Sequence, residues 1–529
     1  IRDRCGSDNG SSSAKSASAA SAASAANDTV DEDGKVNGIM YQEGLPLVDE
    51  GDYTFSIFCD DSSESGEFIM LDEFKKQTNV DVDLKIYPYE TATERLNLDL
   101  NSGDYADVIG GWTLSDNAIL TYGVNQGVFI PLEDYFEKYC PNISAILDLP
   151  GVREKMTAPD GHIYTIPYVC ADATVGYNPY INTKWLENVG MSMPTTTDEF
   201  EAVLKAFKEQ DANGNGDASD EIPFSTDPNN KHIEAMAGYF GLPMNKLGIA
   251  IQDEKVVYGG VSNTYREFLS WFHKLYADGL VDVELYTQDS STWEGKGNQD
   301  LYGVSIAYGS SEFTGIPAAE ERGDFDSMPV LNTDKGGIWL RDTEGFSVYR
   351  TQAVITNKAE HPEIICRWFD NAFALENGIG CNRGPVGVIV NKEDDGYHAI
   401  DTTTLSEEDQ EKYSWSNLWP QSLPKYLPAD FEFVEEHPMY DEKKATEEAY
   451  EANLTKEIIP SYWIDLDKID TFSDTNTAIK DFFEQQQAQF VCGELDIDND
   501  ADWQAYVDGM YSLGLEDWVA TQGIEEIAK

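Results

Sequence analysis

Residues 53–112 read as strand, helix, strand, helix, strand, and no other feature limits the possible folds of this chain as tightly. "YTFSIFCDD" (53–61) alternates and then ends in acids, the pattern of a strand running out into a loop. "GEFIMLDEFKKQTNV" (66–80) carries Phe68, Met70, Leu71 and Phe74 at helical spacing, and "DVDLKIYPY" (81–89) alternates again. A helix over 92–102 and the strand in "YADVIGGW" (105–112) complete the unit. This rhythm predicts an α/β fold with a mostly parallel sheet.

The pattern restarts after "GHIYTIPYVCADATVGYNPYI" (161–181). "TTTDEFEAVLKAFKEQ" (195–210) combines threonine caps with an apolar stripe at Phe200, Val203, Leu204 and Phe207. A helix over 263–279, a strand over 302–309 and a strand–helix pair over 345–373 continue the theme, and the last part of the chain reads mainly helical. With 529 residues the chain is long enough for two or more domains, each with its own core.

Charge narrows the partners. The 97 acidic residues against 36 basic ones give a net charge of −61, a field that repels nucleic acid and anionic lipid surfaces and disfavours a polyanionic ligand. Hydrophobic residues at 41% are enough for a folded protein, and no apolar run approaches the roughly 20 residues that span a bilayer. The cysteines (Cys5, Cys59, Cys140, Cys170, Cys366, Cys381 and Cys492) form no CxxC pair, so unpaired core thiols are expected for most of them.

One local motif points to a metal. "DANGNGDASDE" (211–221) puts Asp211, Asn213 and Asn215 at the first, third and fifth slots of an EF-hand loop, Gly216 at the turn and the Asp217 carbonyl next. The closing glutamate slot holds Ile222 instead, with Asp220 and Glu221 just before it. A helix enters this loop but no matching helix leaves it. A structural Ca2+ is therefore expected, rather than a sensor that opens a helix pair. "DIDNDAD" (496–502) also alternates acids but lacks the turn glycine, and reads as a helix cap at Asp500 or Asp502.

Residues 6–28, "GSDNGSSSAKSASAASAASAAND", cannot bury a core and read as a tether. Cys5-Gly6-Ser7 resembles the start of a mature bacterial lipoprotein, which implies a lipid on Cys5 and a place on the outer face of a bacterial membrane; Ile1–Arg4 departs from that pattern.

Three stretches carry a wider resemblance. "LNSGDYADVIGGW" (100–112), "KWLENVGMSMPTTTDEFEAVLKAFKEQDANGNGDASDEIPF" (184–224) and "FVCGELDIDNDADWQAYVDGMYSLGLEDW" (490–518) resemble the extracellular solute-binding lipoproteins of carbohydrate ABC importers. The match is to the large branch that includes alginate-oligosaccharide binders with a structural calcium. The resemblance implies two α/β lobes joined by crossing segments at about 168–173, 342–348 and 385–391. On it, residues 1–50 are a tether, 51–170 and 343–390 the N-lobe, and 171–342 and 391–529 the C-lobe. The implied partners are an oligosaccharide and membrane permease subunits, with the protein itself a monomer.

A sugar presents apolar C–H faces and a rim of hydroxyls, so its receptor needs flat aromatics and fixed acceptors. Position relative to the expected cleft selects Asp60 and Asp61 after the first strand, Trp112 after "DVIGG", and Tyr168 and Asp172 at the first crossing. Tyr239, Tyr308 and Trp339 are expected at element ends facing the cleft, and Arg383 as a polar contact. Neither GxSxG, HExxH, P-loop nor GxGxxG occurs, so binding without catalysis is expected, with a secreted glycoside hydrolase as the alternative. The overall acidity favours a neutral ligand.

Overall fold

The computed structural model describes residues 28–61, 67–228, 232–315, 324–428, 431–434 and 438–528; Cys5 lies outside them. The opening rhythm folds as its spacing predicts. Strands Tyr53–Asp60, Val80–Tyr87 and Val108–Gly110 pair in parallel, linked by helices Ile69–Thr78 and Tyr89–Ser102. The first helix buries Met70 and Phe74 against the sheet and stops at Asn79, whose left-handed backbone returns the chain to the next strand.

Strand Phe346–Ile355 runs antiparallel to Val108–Gly110 and to Thr165–Ala171, completing a five-stranded sheet. The core of this N-lobe is built from Phe55, Ile57, Phe74, Ile166, Trp368 and Trp419 among others. The C-lobe holds a four-stranded sheet in which Tyr302–Ala307 lies parallel to Ile222–Thr226 and antiparallel to Asn178–Asn182. Helix Asn263–Ala277 and the capped helix Thr197–Glu209 cover it; the predicted stripe Phe200, Val203, Leu204 and Phe207 is fully buried there.

The lobes are joined by paired segments. The chain leaves the N-lobe after Ala171 and returns before Phe346, and these two passages are bonded to each other: Asp172 N–H donates to Gly345 O at 3.1 Å and Asp342 N–H to Thr174 O at 2.9 Å.

The lobe limits read from sequence need three corrections. Residues 28–50 are not a tether: Val36, Met40, Leu47 and Val48 are buried in the N-lobe core. Four isolated apolar residues carry no periodic signal, yet each is covered by the lobe. Second, the stretch after 390 stays with the N-lobe, where Trp419 and Leu423 join the core and Val390, Leu427 and Phe433 pack on Ile379. The third passage therefore does not lie at 385–391; it falls between Phe433 and Tyr450, the latter buried in the C-lobe core. Finally, Ile464 and Ile469 pack on the N-lobe before helix Ile469–Cys492 carries the chain back to the C-lobe at Ile479 and Phe483.

The cysteines are unpaired as predicted among the described residues. The cap of helix Asp500–Ser512 is Asn499, one residue before the acids expected there.

Candidate ligand cleft and candidate calcium loop

The strand ends of the N-lobe build the first wall. Asp60, fully buried at the end of its strand, accepts hydrogen bonds from the backbone N–H of Trp112 at 2.9 Å and of Thr113 at 2.6 Å. Burial raises its pKa, and those two N–H donors oppose the rise. The turn they stabilise passes through Gly111 at φ +132°, where a Cβ would sit 2.2 Å from Asp60 Oδ1, so only glycine fits.

The consequence is a displayed ring. Trp112 is 44% exposed, in a chain whose other large apolar residues are mostly enclosed. It stands edge-on to Tyr349 with centroids 5.3 Å apart, and to Tyr168 at 6.4 Å. Tyr168 and Tyr349 stack on each other at 5.6 Å, and the Lys425 ammonium lies 5.5 Å from the Tyr168 centroid.

The C-lobe builds the facing wall. Tyr177 stacks on His232 at 4.2 Å and meets Tyr308 edge-on at 5.9 Å, while Lys443 Nζ sits 4.2 Å over the Tyr308 ring. The walls meet at Asp172, whose Oδ2 accepts from Tyr349 Oη at 2.9 Å and whose Oδ1 accepts from Tyr308 Oη at 3.2 Å.

Partial enclosure shifts the charged groups of this region. Its side chains keep surface open to solvent while protein closes round their other sides. That enclosure pulls cations down, Lys443 to about 8 and Arg383 to about 10, and pushes Glu312 up to about 7 and Asp342 up to about 6. His232 falls to about 4, so its ring is neutral at physiological pH.

Of the residues selected from sequence, Trp112, Tyr168, Asp172, Tyr308 and Arg383 gather here. Four do not. Asp60 holds the Trp112 turn, and Asp61 is buried, accepting from Gln421 N–H at 2.7 Å. Tyr239 and Trp339 are enclosed in the C-lobe core, 5.7 Å apart, with Tyr450 closing on Trp339 at 5.6 Å. The helix carrying Tyr450 packs there from far along the chain, which position relative to strand ends could not reveal.

Sequence reasoning also missed Tyr349, Tyr177, His232, Lys443, Glu312 and Asp342. Tyr177, Asp342 and Tyr349 lie in or close to the crossings expected at 168–173 and 342–348, the one signal available; His232, Glu312 and Lys443 carry none.

The 211–221 loop fits a cation. Asp211 Oδ2 accepts from Gly216 N–H at 3.0 Å, the bond that shapes such a loop, and Glu221 Oε1 accepts from Ala212 N–H at 2.8 Å. Asp211 Oδ1 and Glu221 Oε2 are buried oxygens without a hydrogen-bond donor. Buried carboxylate oxygens left so are costly unless a cation meets them. Asp220 accepts the side-chain amides of Asn213 and Asn215, and Asp217 accepts from Ser219. Asp211, Asn213, Asn215, the Asp217 carbonyl, Asp220 and Glu221 are thus the residues that would hold Ca2+, whose role would be to pin the loop after helix Thr197–Glu209.

Two α/β lobes joined by bonded passages, with an aromatic cleft where they meet, define a ligand-trapping binding protein. The chain belongs to the bacterial extracellular solute-binding protein family, whose model matches residues 61–378. It is 33% identical over 335 residues to the fructooligosaccharide ABC transporter substrate-binding protein FusA of Streptococcus pneumoniae, covering 61% of each chain. The chain thus spans under two thirds of the length of this curated relative. The structure of S. pneumoniae FusA with kestose superposes with a TM-score of 0.77 at 26% identity, over 89% of this chain and 98% of that one. The alginate-binding protein AlgQ2, solved without calcium, shares the fold with a TM-score of 0.73 at 21% identity, over 91% of this chain and 99% of that one.

Proposed function

We propose that this protein captures a neutral oligosaccharide between its lobes and delivers it intact to the membrane permease subunits of an ABC importer. The observation that carries the reading is Trp112, a large apolar ring left open in a cleft whose other walls are tyrosines from both lobes. A pyranose or furanose face stacks on such a ring, and hydroxyls around its rim meet Tyr, Asp and Glu acceptors. The likeness to FusA, solved with kestose, supports an oligosaccharide as the ligand.

Closure of the lobes buries the sugar, and the bonded passages at 172–176 and 342–345 are where the backbone absorbs that motion. The tether ahead of residue 28, with a lipid on Cys5, would hold the protein at the outer face of the membrane, acting as a monomer. Ca2+ in the 211–221 loop would stabilise the C-lobe without touching the ligand. Titration calorimetry with kestose and a panel of other neutral oligosaccharides tests the reading, with the bound sugar recovered and sized. Saturable binding and an unshortened sugar are expected; cleaved product that scales with protein concentration, or binding confined to uronate oligomers, would overturn it.

A further inference from the structure

Resting on that reading of the cleft, we propose that Glu312 and Asp342 are the acceptors that select the ligand's hydroxyls. The carboxylates around the cleft differ in what their oxygens already hold. Asp60 gives both oxygens to backbone N–H groups of the Trp112 turn. Asp172 gives both to tyrosine hydroxyls, one from each lobe. Asp61 is buried under Gln421. None of these three presents an oxygen to a sugar.

Glu312 and Asp342 differ from them in the same way. Glu312 Oε2 accepts from Tyr308 N–H at 2.9 Å, and Asp342 Oδ2 accepts from Gly176 N–H at 2.7 Å. The Gly309 N–H also lies against the Glu312 carboxylate, which keeps lone pairs to spare, while the second oxygen of Asp342 has no donor among the described residues; both side chains are exposed. Fixing one oxygen to the backbone aims the other, so no rotamer freedom is lost when a hydroxyl arrives.

Glu312 follows the carboxyl end of strand Tyr302–Ala307, and Asp342 lies on the returning passage, so the pair spans the C-lobe side of the cleft. Lys443 interacts favourably with both, but its ammonium is committed to Gly176 O at 2.6 Å and to the Tyr308 ring. A sugar here meets two fixed acceptors, and the cation beside them, Lys443, is already engaged. Two carboxylates at this position favour neutral polyols over a carboxylate or sulfate substituent.

The charges around each group give the site a pH signature. Glu312 faces Asp227 at the end of a neighbouring strand and Lys443 on helix Pro438–Tyr450; Asp342 faces Asp172 and Lys443. Enclosure leaves Glu312 titrating at about 7 and Asp342 at about 6. A hydroxyl donates to the ionised form, so affinity is greatest well above pH 7 and declines as pH falls through these values.

Calorimetric titration of the wild type, Glu312→Gln and Asp342→Asn with kestose and the neutral panel, at about pH 8 and about pH 5.5, tests this, since those values bracket both titrations. The wild type is expected to lose affinity on acidification. Each variant should bind about tenfold more weakly at the higher pH and show a flatter pH profile, with an unchanged melting temperature. Variants that bind as tightly as the wild type, with its pH profile, would overturn the assignment while leaving the proposed function standing. A wild type that binds no neutral oligosaccharide would overturn both. Where a variant melts early, Glu312→Asp keeps the charge but shortens the reach; full affinity in that variant would equally overturn the assignment.

Discussion

Tyr308 donates its hydroxyl to Asp172 Oδ1 across 3.2 Å, joining the end of a C-lobe strand to the point where the chain leaves the N-lobe. Tyr349 of the N-lobe holds the other oxygen of the same carboxylate at 2.9 Å. One carboxylate thus ties both lobes together at the candidate cleft, through a tyrosine hydroxyl from each.

On the proposed function, this bond helps to hold the lobes closed on a ligand. Tyr308→Phe keeps the ring but removes the hydroxyl, and a hydrogen bond to a charged acceptor contributes about 1.5–3 kcal/mol. Release of bound oligosaccharide should speed up by about tenfold or more, with the association rate little changed. Stopped-flow fluorescence from the cleft tryptophan reads both rates, and an unchanged release rate would show that the bond does not hold the lobes closed.

The turn that displays Trp112 depends on a buried acid. Asp60→Ala strands two backbone N–H groups, each costing about 1–3 kcal/mol. Gly111→Ala forces a Cβ onto the Asp60 carboxylate, where 2.2 Å is available. Both variants should lower the melting temperature and weaken sugar binding together. A variant that loses stability but binds normally would mean that the turn does not position the ring.

Calcium is expected to act on stability alone. A ligand present at about a hundred times its Kd stabilises by about 2.7 kcal/mol, so a chelator should lower the melting temperature measurably. Asp211→Ala and Glu221→Gln should each reproduce the chelated curve, because each removes a buried oxygen that otherwise lacks a partner. Melting curves that ignore both the chelator and the substitutions would dismiss the site.

Trp339 serves the opposite test. Enclosed between Tyr239 and Tyr450, it should cost about 3–5 kcal/mol of stability on truncation to alanine. Sugar affinity of the folded fraction should stay near that of the wild type. A binding defect without a stability loss would return Trp339 to the cleft.

What could be read from the sequence was local. The strand–helix rhythm of 53–112, the stripe of helix Thr197–Glu209 and the loop at 211–221 are each written in consecutive residues, and each folds accordingly. Trp112 was legible because two glycines precede it at a strand end. The facing wall was not: Tyr177 and His232 approach only after the chain has folded through the whole C-lobe sheet, and Lys443 reaches Tyr308 from a helix far along the chain. Tyr239 and Trp339 misled for the same reason, since burial there is completed by Tyr450. The lobe limits failed after residue 390 because Trp419 and Leu423 sit in a stretch without clear periodicity, yet fill the N-lobe core.

The most direct measurement is a calorimetric titration of Trp112→Ala beside the wild type, using kestose and the neutral panel, with melting curves on the same samples. If the open ring carries the sugar, the wild type binds saturably and the variant binds at least about tenfold more weakly, roughly 1.4 kcal/mol, with little change in melting temperature. Equal affinities in the two proteins, or a wild type that binds none of these sugars, would contradict the account.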